Sequence, residues 1–216
     1  MDPLVAELLS RERVPFSQAR ELRSSCVTAT DFPVLFLKNK YRSLKQLVYD
    51  KHERTEPKVN PAMAHGVHYE AQALKAYTQA TGNQLVEEHI GFVRSKDYPW
   101  VGCTPDAVCK FLPILVEIKC PYWREIQPHC VPDLYIDQLQ AQMFVTGLKV
   151  VHFVQFRPQT LVSAYVLSIQ TVEYDPTWWD RALPLAKRLH ALLKIDPPPK
   201  RKKEYTQKKL SFLFVD

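Results

Sequence analysis

The 216-residue sequence predicts an α/β fold in which a central mixed β-sheet is flanked by helices. Three features predict it: helical segments at about 61–81 and 133–146, four short β-rich segments between them, and a hairpin at about 149–171. Helices that alternate with strands along one chain typically cover both faces of a sheet. At this length we expect one domain, over residues 1–196, followed by a tail over residues 197–216.

The segment before the long helix predicts three short helices. The first covers about 2–13. The second is capped by Ser17 and runs through Arg23, and the third, near 34–38, is capped by Thr30 or Asp31.

The long helix carries an acidic side chain on its inner face. Asn60 is its expected cap, because the proline that follows suits the first helical position, and Gly82 ends it. Glu70 shares a face with Leu74 and Tyr77, at spacings of four and seven residues. It therefore points toward the core, where an unpaired acid is costly.

The remaining elements are short strands and two helices. The predicted strands cover about 86–94, 100–103, 106–111, 113–119, 149–157 and 161–171. The helix over about 133–146 begins at an Asp133 cap and stops at Gly147. The final helix, over about 176–194, contains Pro184, which predicts a kink or a break.

Composition limits the kind of site. The five cysteines contain no C-x-x-C pair, which argues against a disulfide framework and a cysteine-based zinc site. No apolar segment approaches the length of a membrane span. Reduced thiols and the lack of a signal peptide predict an intracellular protein, in the cytoplasm or in a host nucleus.

The net charge of +6 is concentrated near the C-terminus. Residues 200–209 hold six Lys or Arg and one Glu, so they account for five of the six charges and leave +1 for the rest of the chain. Such a basic run binds phosphate, marks nuclear import or is simply solvated, and the sequence leaves these three readings open.

The residues that carry chemistry are Asp106 and, on the next predicted strand, Glu117-Ile118-Lys119. Side chains alternate along a strand, so Glu117 and Lys119 point to one face and Ile118 to the other. Two neighbouring carboxylates repel unless a cation joins them, and Mg²⁺ prefers a few carboxylates plus water. A metal-bound water becomes a nucleophile, and a lysine beside it stabilises hydroxide or developing phosphate charge. With Gln138 on the following helix, the pattern predicts a metal-dependent nuclease core.

Five segments together resemble a known family. They are Arg23 to Thr30, Met63 to Glu70, Cys103 to Asp106, Val116 to Pro121, and Tyr135 to Gln140. Their order and content are similar to those of the phage lambda-type exonucleases. These are the recombination, or alkaline, exonucleases of phages and large DNA viruses, within the PD-(D/E)xK nuclease superfamily. The resemblance covers about residues 20–150.

The resemblance implies a role for each catalytic residue. Asp106 and Glu117 are the expected metal ligands, together with the backbone carbonyl of Ile118. Glu70 is expected to bind or orient a second metal ion or its water. Lys119 is expected to position the attacking water.

The resemblance also implies a phosphate-binding set. Gln138 would hold the attacking water or the phosphate, and Thr104 would touch the scissile phosphate. Arg23 and Thr30 would form a pocket for a 5′-terminal phosphate, because an arginine fork binds two phosphate oxygens at once, with Lys40 or Arg42 as a second cation. Both threonines stand where the family usually has serine, which keeps the hydroxyl and adds a methyl group.

One further amide shares the helix face of Gln138. Gln142 lies four residues later, so the two side chains are neighbours on that helix. An ordinary surface amide is the alternative for Gln142.

The implied activity is digestion of one strand of linear double-stranded DNA from 5′-phosphorylated ends, for recombination, repair or viral DNA processing. The implied cofactor is Mg²⁺, for which Mn²⁺ substitutes. The implied partners are DNA ends and a single-strand annealing protein, with no membrane, and the chain is either a homotrimer around DNA or a monomer. Two alternatives stay open: a PD-(D/E)xK endonuclease acting on DNA or RNA, and a non-catalytic nucleic-acid-binding module.

Overall fold

The computed structural model describes residues 1–15, 18–53, 60–87, 89–161 and 163–195. The helices in these ranges are α1 (Pro3–Ser10), α2 (Arg20–Ser25), α3 (Phe32–Leu35), α4 (Leu44–Glu53), α5 (Pro61–Thr81), α6 (Asp133–Thr146) and α7 (Trp178–Leu192). The strands are β1 (Arg13–Val14), β2 (Val27–Thr28), β3 (Phe92–Arg94), β4 (Val101–Cys103), β5 (Ala107–Val108), β6 (Ile114–Lys119), β7 (Val150–Arg157) and β8 (Val166–Glu173).

Within these ranges the strands form two four-stranded mixed sheets. One has the order β1-β3-β4-β2 and the other the order β5-β6-β7-β8. In the second sheet β6 and β7 are parallel, which requires a crossover, and α6 provides it. The chain passes from the first sheet to the second through Thr104-Pro105-Asp106, where proline cannot donate to a strand ladder. The α/β class is confirmed, with the strands divided between two sheets.

The β5–β8 sheet lies between two layers of helices. Leu115 of β6 belongs to a core that it shares with residues of α3, α6 and α7. Ile118 belongs to a second core, on the opposite face, with Tyr77 of α5. The alternation expected along this strand is therefore confirmed, and it places Glu117 under α6.

Local capping chemistry correctly predicted the two long helices. The side chain of Asn60 accepts a hydrogen bond from the Met63 N–H at 2.9 Å, and Gly82 ends α5 in a left-handed conformation. Gly147 ends α6 in the same way. The predicted Asp133 cap is wrong, because Asp133 is already the first helical residue and its carboxylate pairs with a lysine instead.

The N-terminal predictions were less accurate. α1 is shorter than expected, and Asp2 caps it. Asp31 occupies the N-cap position of α3, as one of the two alternatives expected, and Thr30 does not. The Asp31 side chain makes no capping bond to α3, because its carboxylate accepts a hydrogen bond from the Thr28 N–H at 2.7 Å, beside the 3-10 helix over Ala29–Asp31. Ser17 lies outside the described residues. α4 was not predicted, although Leu44, Leu47 and Val48 have the i, i+3, i+4 spacing of an amphipathic helix and pack against one core.

Three further elements differ from the prediction. The strand expected over 86–94 is reduced to β3, preceded by a single bridge between Leu85 and Cys109. The hairpin of β7 and β8 has a longer loop, over 158–165. α7 continues through Pro184, so the predicted break does not occur.

Two composition-based expectations can be compared with the structure. All five cysteines are free thiols, as expected. None of the helices in the described ranges combines the length and the apolar character that a membrane crossing requires.

Gly91 fixes the entry to β3. Its φ is +71°, and a Cβ there would lie 2.6 Å from the carbonyl oxygen of Val14 in β1. We therefore expect Gly91→Ala to lower the free energy of unfolding by about 3 kcal/mol, from backbone strain and the clash together. Urea denaturation measures this.

Gly66→Ala is the matched control for that experiment. A Cβ at Gly66, within α5, would meet nothing within 4 Å. Alanine favours a helix over glycine by up to about 1 kcal/mol, so this variant should be as stable as the parent or more stable. Equal stability of both variants would contradict the packing at Gly91.

Candidate active site

Glu117 and Lys119 of β6 face α6 and form a partly buried ion pair with two amides around it. The Glu117 side chain is 3% exposed. Its Oε1 accepts hydrogen bonds from Lys119 Nζ and from Gln138 Nε2, and its Oε2 accepts one from Gln142 Nε2 at 2.6 Å. A buried carboxylate is stable as an anion only when it is paired and hydrogen-bonded, and these three groups meet that need.

Asp106, the residue before β5, is hydrogen-bonded to the backbone of β6. Its Oδ2 accepts a hydrogen bond from the Ile118 N–H at 2.7 Å. Burial and the charge of Glu117 raise the pKa of Asp106 well above its ordinary value, against the opposing effects of Lys119 and of the Ile118 N–H. Oδ1 accepts no hydrogen bond from the described residues. Asp106 is thus a carboxylate that a bound cation would stabilise.

Lys119 is held as a cation. Burial by itself would lower the pKa of Lys119, but the charges of Glu117 and Asp106 outweigh that effect and raise the pKa above its ordinary value. The ammonium group also lies 5.5 Å from the ring centre of Tyr135. At neutral pH this lysine is therefore a hydrogen-bond donor and not a base.

Glu70 reaches the same region from α5. Burial raises the pKa of the Cys120 thiol to about 12, and the charges of Glu70 and Asp106 add to this, whereas Lys119 opposes it. A cleft of about 860 Å³ lies next to these groups; its lining includes Arg11, Arg13, Glu70, His89, Thr104 and Asp106. The structure thus brings the three predicted acids and the lysine into one region.

The residues predicted to bind a 5′-phosphate are only partly brought together. Arg23 Nη1 donates a hydrogen bond to Thr104 Oγ1 at 3.1 Å, and Thr104 lies two residues before Asp106. Thr30 is exposed, and its hydroxyl lies 3.1 Å from that of Thr28. Arg42 forms an ion pair with Asp50, at 2.7 Å. Contact with phosphate stays a prediction for all of these residues.

The donor set fits a hard divalent cation. Within the described ranges, no three His, Cys, Asp or Glu side chains cluster closely enough to hold a metal ion by themselves. Mg²⁺ in phosphate-processing sites is held by one or two carboxylates and keeps several waters. Asp106 and Glu117, on two hydrogen-bonded segments, would provide those carboxylates, and the Ile118 carbonyl would add a backbone oxygen.

Gln142 is a site residue that sequence reasoning underrated. The alternative of a surface amide is wrong, because Gln142 is 2% exposed and donates to Glu117. The available signal was its position four residues after Gln138. Its burial depends on how α6 lies on the sheet, which the sequence of the helix does not show.

We expect Gln142→Ala to lower nuclease activity about 10- to 100-fold, because Glu117 loses the donor that orients Oε2. Gln140→Ala is the matched control. Gln140 is also buried on α6, but its amide bonds the backbone of Glu173 and Asp175 instead. Cleavage rates and melting temperatures separate the effects: equal activity loss in both variants would mean that Gln142 acts only through stability.

Known proteins share the family and the fold of this chain. The YqaJ-like viral recombinase domain, as a family model, matches residues 18–149. The crystal structure of the alkaline exonuclease LHK-Exo from Laribacter hongkongensis has a TM-score of 0.65 and 24% identity, over 80% of this chain and 89% of that chain. LHK-Exo in complex with dAMP has the same TM-score and identity, over 81% and 90%.

A second exonuclease shares the fold at lower identity. The structure of a phage-related exonuclease from Haemophilus somnus 129PT has a TM-score of 0.57 and 14% identity, over 78% of this chain and 93% of that chain. No curated protein sequence matches this chain significantly. The solved structures therefore show the fold of the alkaline exonucleases.

The family match spans well over half of the chain and nearly the same residues as the resemblance seen in the sequence. It includes Arg23, Glu70, Asp106, all of β6, and Gln138. The chain belongs to the YqaJ-like viral recombinase domain family, and it has the PD-(D/E)xK-like fold of the alkaline exonucleases.

Proposed function

We propose that this protein is a Mg²⁺-dependent exodeoxyribonuclease that digests one strand of linear double-stranded DNA, in the 5′-to-3′ direction, from 5′-phosphorylated ends. The observation that carries the proposal is the arrangement around β6. Asp106 is hydrogen-bonded to the backbone of the strand that presents Glu117 and Lys119 to α6. Two acids and an ammonium group placed in this way suit hydrolysis of a phosphodiester.

Each residue of the site has a distinct task in this proposal. Asp106 and Glu117 would hold the metal ion, and Gln138 and Gln142 keep the Glu117 carboxylate in place. The ion would supply Lewis acidity for activation of the attacking water. Lys119, a fixed cation, donates to the attacking water or to a phosphate oxygen where negative charge develops.

End recognition is assigned to Arg23 and Thr104. The backbone carbonyl of Arg23 accepts a hydrogen bond from Lys51 Nζ at 2.8 Å, and Lys51 is itself buried in an ion pair with Asp31. This fixes the start of the Arg23 side chain, whose Nη1 reaches Thr104. An arginine fork favours a terminal phosphate, which carries more charge and more free oxygens than an internal one.

The proposal also covers the product, the substitute ion, the partners and the assembly. LHK-Exo was crystallised with dAMP, a deoxynucleoside monophosphate, which is the kind of product an exodeoxyribonuclease releases. We include Mn²⁺ as a substitute ion, DNA ends and an annealing protein as partners, and a trimer or a monomer as the assembly. The proposed domain of residues 1–196 and the basic tail of residues 197–216 stay predictions, and that tail lies outside the described residues.

End-labelled linear duplex DNA tests the proposal. Duplexes with a 5′-phosphate, a 5′-hydroxyl or a blocked 5′ end are incubated with the protein and Mg²⁺, alongside closed circular DNA. We expect rapid loss of the phosphorylated strand, slower loss with the hydroxyl, and no cutting of circles. Equal cutting of blocked ends and circles would establish an endonuclease instead.

Arg23→Ala should reduce the preference for 5′-phosphate over 5′-hydroxyl ends about 10- to 100-fold, because a charge-assisted hydrogen bond to phosphate is lost. Arg20→Ala removes the same charge from the exposed surface of α2 and is the matched control. The ratio of initial rates on the two ends is the measurement. An unchanged ratio in Arg23→Ala would remove this residue from the pocket.

A further inference from the structure

An exposed cluster of aromatic rings follows directly after β6. Trp123 is 82% exposed and Tyr122 is 41% exposed. The ring centres of Tyr122 and Trp123 are 4.3 Å apart, and that of Tyr122 is 5.0 Å from that of His65 in α5. His65 in turn contacts Tyr69, at 4.6 Å. We call these four residues the aromatic platform.

The aromatic platform links the two sides of the candidate active site. It starts three residues after Lys119 and ends at Tyr69, the neighbour of Glu70 in sequence. Its rings support one another by edge-on and tilted contacts, which holds Trp123 in place without burying it. The result is a braced Trp123 ring that faces solvent, a few residues along the chain from Lys119.

Cations flank the Tyr122–Trp123 part of the aromatic platform in sequence. Arg124 follows Trp123, and its guanidinium donates to Gln155 at 2.7 Å and lies 5.8 Å from the ring centre of Tyr135. The ammonium group of Lys119 lies 5.5 Å from the centre of the same Tyr135 ring. Exposed aromatic rings interleaved with Lys and Arg are characteristic of surfaces that bind single-stranded nucleic acid, where bases stack and phosphates meet cations.

We propose that Trp123, supported by Tyr122, stacks on an unpaired nucleobase of the substrate strand, next to the phosphate that is cut. This inference rests on the proposed function, since it places a DNA strand in that site. Stacking tolerates every base, so it suits an enzyme that advances through any sequence. An aromatic surface beside the site would hold the frayed end of a duplex after its bases separate.

A double-mutant-style cycle between protein and DNA tests the stacking. Binding of 5′-phosphorylated duplexes is measured in Ca²⁺, with a base or an abasic spacer at each of the terminal positions, for the parent, Trp123→Ala and Trp123→Phe. Phe111→Ala is the matched control, because Phe111 is also exposed but lies before β6, at its opposite end.

At one position the abasic spacer should weaken binding to the parent about 5- to 100-fold, the range expected for loss of one base–aromatic stack. Trp123→Ala should weaken binding to normal DNA by a similar factor and show no further loss with the spacer. Trp123→Phe should retain most of the affinity, and Phe111→Ala should behave as the parent.

The outcomes separate this inference from the proposed function. The stacking is overturned if Trp123→Ala binds normal DNA as tightly as the parent, or if the abasic spacer weakens its binding as much as it weakens that of the parent. A Trp123 surface that binds a protein partner instead of DNA would give this result. Cleavage in Mg²⁺ is scored on the same duplexes. A parent that shows the binding cycle but cuts nothing supports the stacking and overturns the nuclease proposal. A parent that binds no DNA overturns both.

Discussion

Lys119→Ala is expected to slow DNA cleavage at saturating substrate by about 10³-fold or more, because among the described donors to Glu117 it removes the one that carries a full positive charge. Gln138 and Gln142 remain bonded to Glu117 in this variant, so the buried carboxylate keeps two of its three partners. The loss should therefore appear in catalysis, with DNA binding in Ca²⁺ retained.

Single-turnover rates on 5′-phosphorylated duplex are the measurement for Lys119→Ala. Lys75→Ala, which removes an exposed lysine of α5, controls for the change in net charge. If Lys119→Ala digests linear duplex at the parent rate, Lys119 has no catalytic role and the assignment of the whole β6 site fails.

Asp106→Asn is expected to slow cleavage by a similar factor, about 10³-fold, without lowering the stability of the fold. Asparagine keeps an oxygen that can accept the Ile118 N–H, so the link to β6 is preserved. The substitution removes a carboxylate whose pKa is raised by burial and by the charge of Glu117. It therefore also removes an unfavourable charge. In the absence of divalent cations the variant should melt at the same temperature as the parent or higher.

Melting curves with and without Mg²⁺, alongside cleavage rates, check the Asp106→Asn prediction. The parent should gain stability from Mg²⁺, since a ligand that binds only the folded state stabilises it, and the variant should gain little. Asp97→Asn, at an exposed acid in the loop before β4, is the control. Full activity of Asp106→Asn would remove this carboxylate from the metal site.

The parts of the fold that the sequence predicted are those fixed by nearby residues. Asn60 and Gly82 set the ends of α5 through bonds within one turn, and Gly147 ends α6 in the same way. The common face of Glu117 and Lys119 follows from the two-residue repeat of a strand. Each of these features needs only local geometry.

The parts that were missed depend on contacts between distant segments. Gln142 is buried because α6 is pressed between the sheet and other helices, and its partner Glu117 is 25 residues away. Asp31 stands at the N-cap position of α3 without a side-chain capping bond, because its carboxylate bonds the Thr28 N–H and pairs with Lys51. The division into two sheets depends on which strands pair, and periodicity within a strand does not specify that.

The central claim is that Asp106 and Glu117 together bind a divalent cation beside Lys119. Titration of the protein with Mn²⁺, followed by electron paramagnetic resonance, measures this without any DNA. We predict saturable Mn²⁺ binding to the parent, competition by Mg²⁺, and a loss of affinity in Asp106→Asn that Asp97→Asn does not show. A parent that binds no Mn²⁺, or an Asp106→Asn variant that binds it as tightly as the parent, would contradict the account.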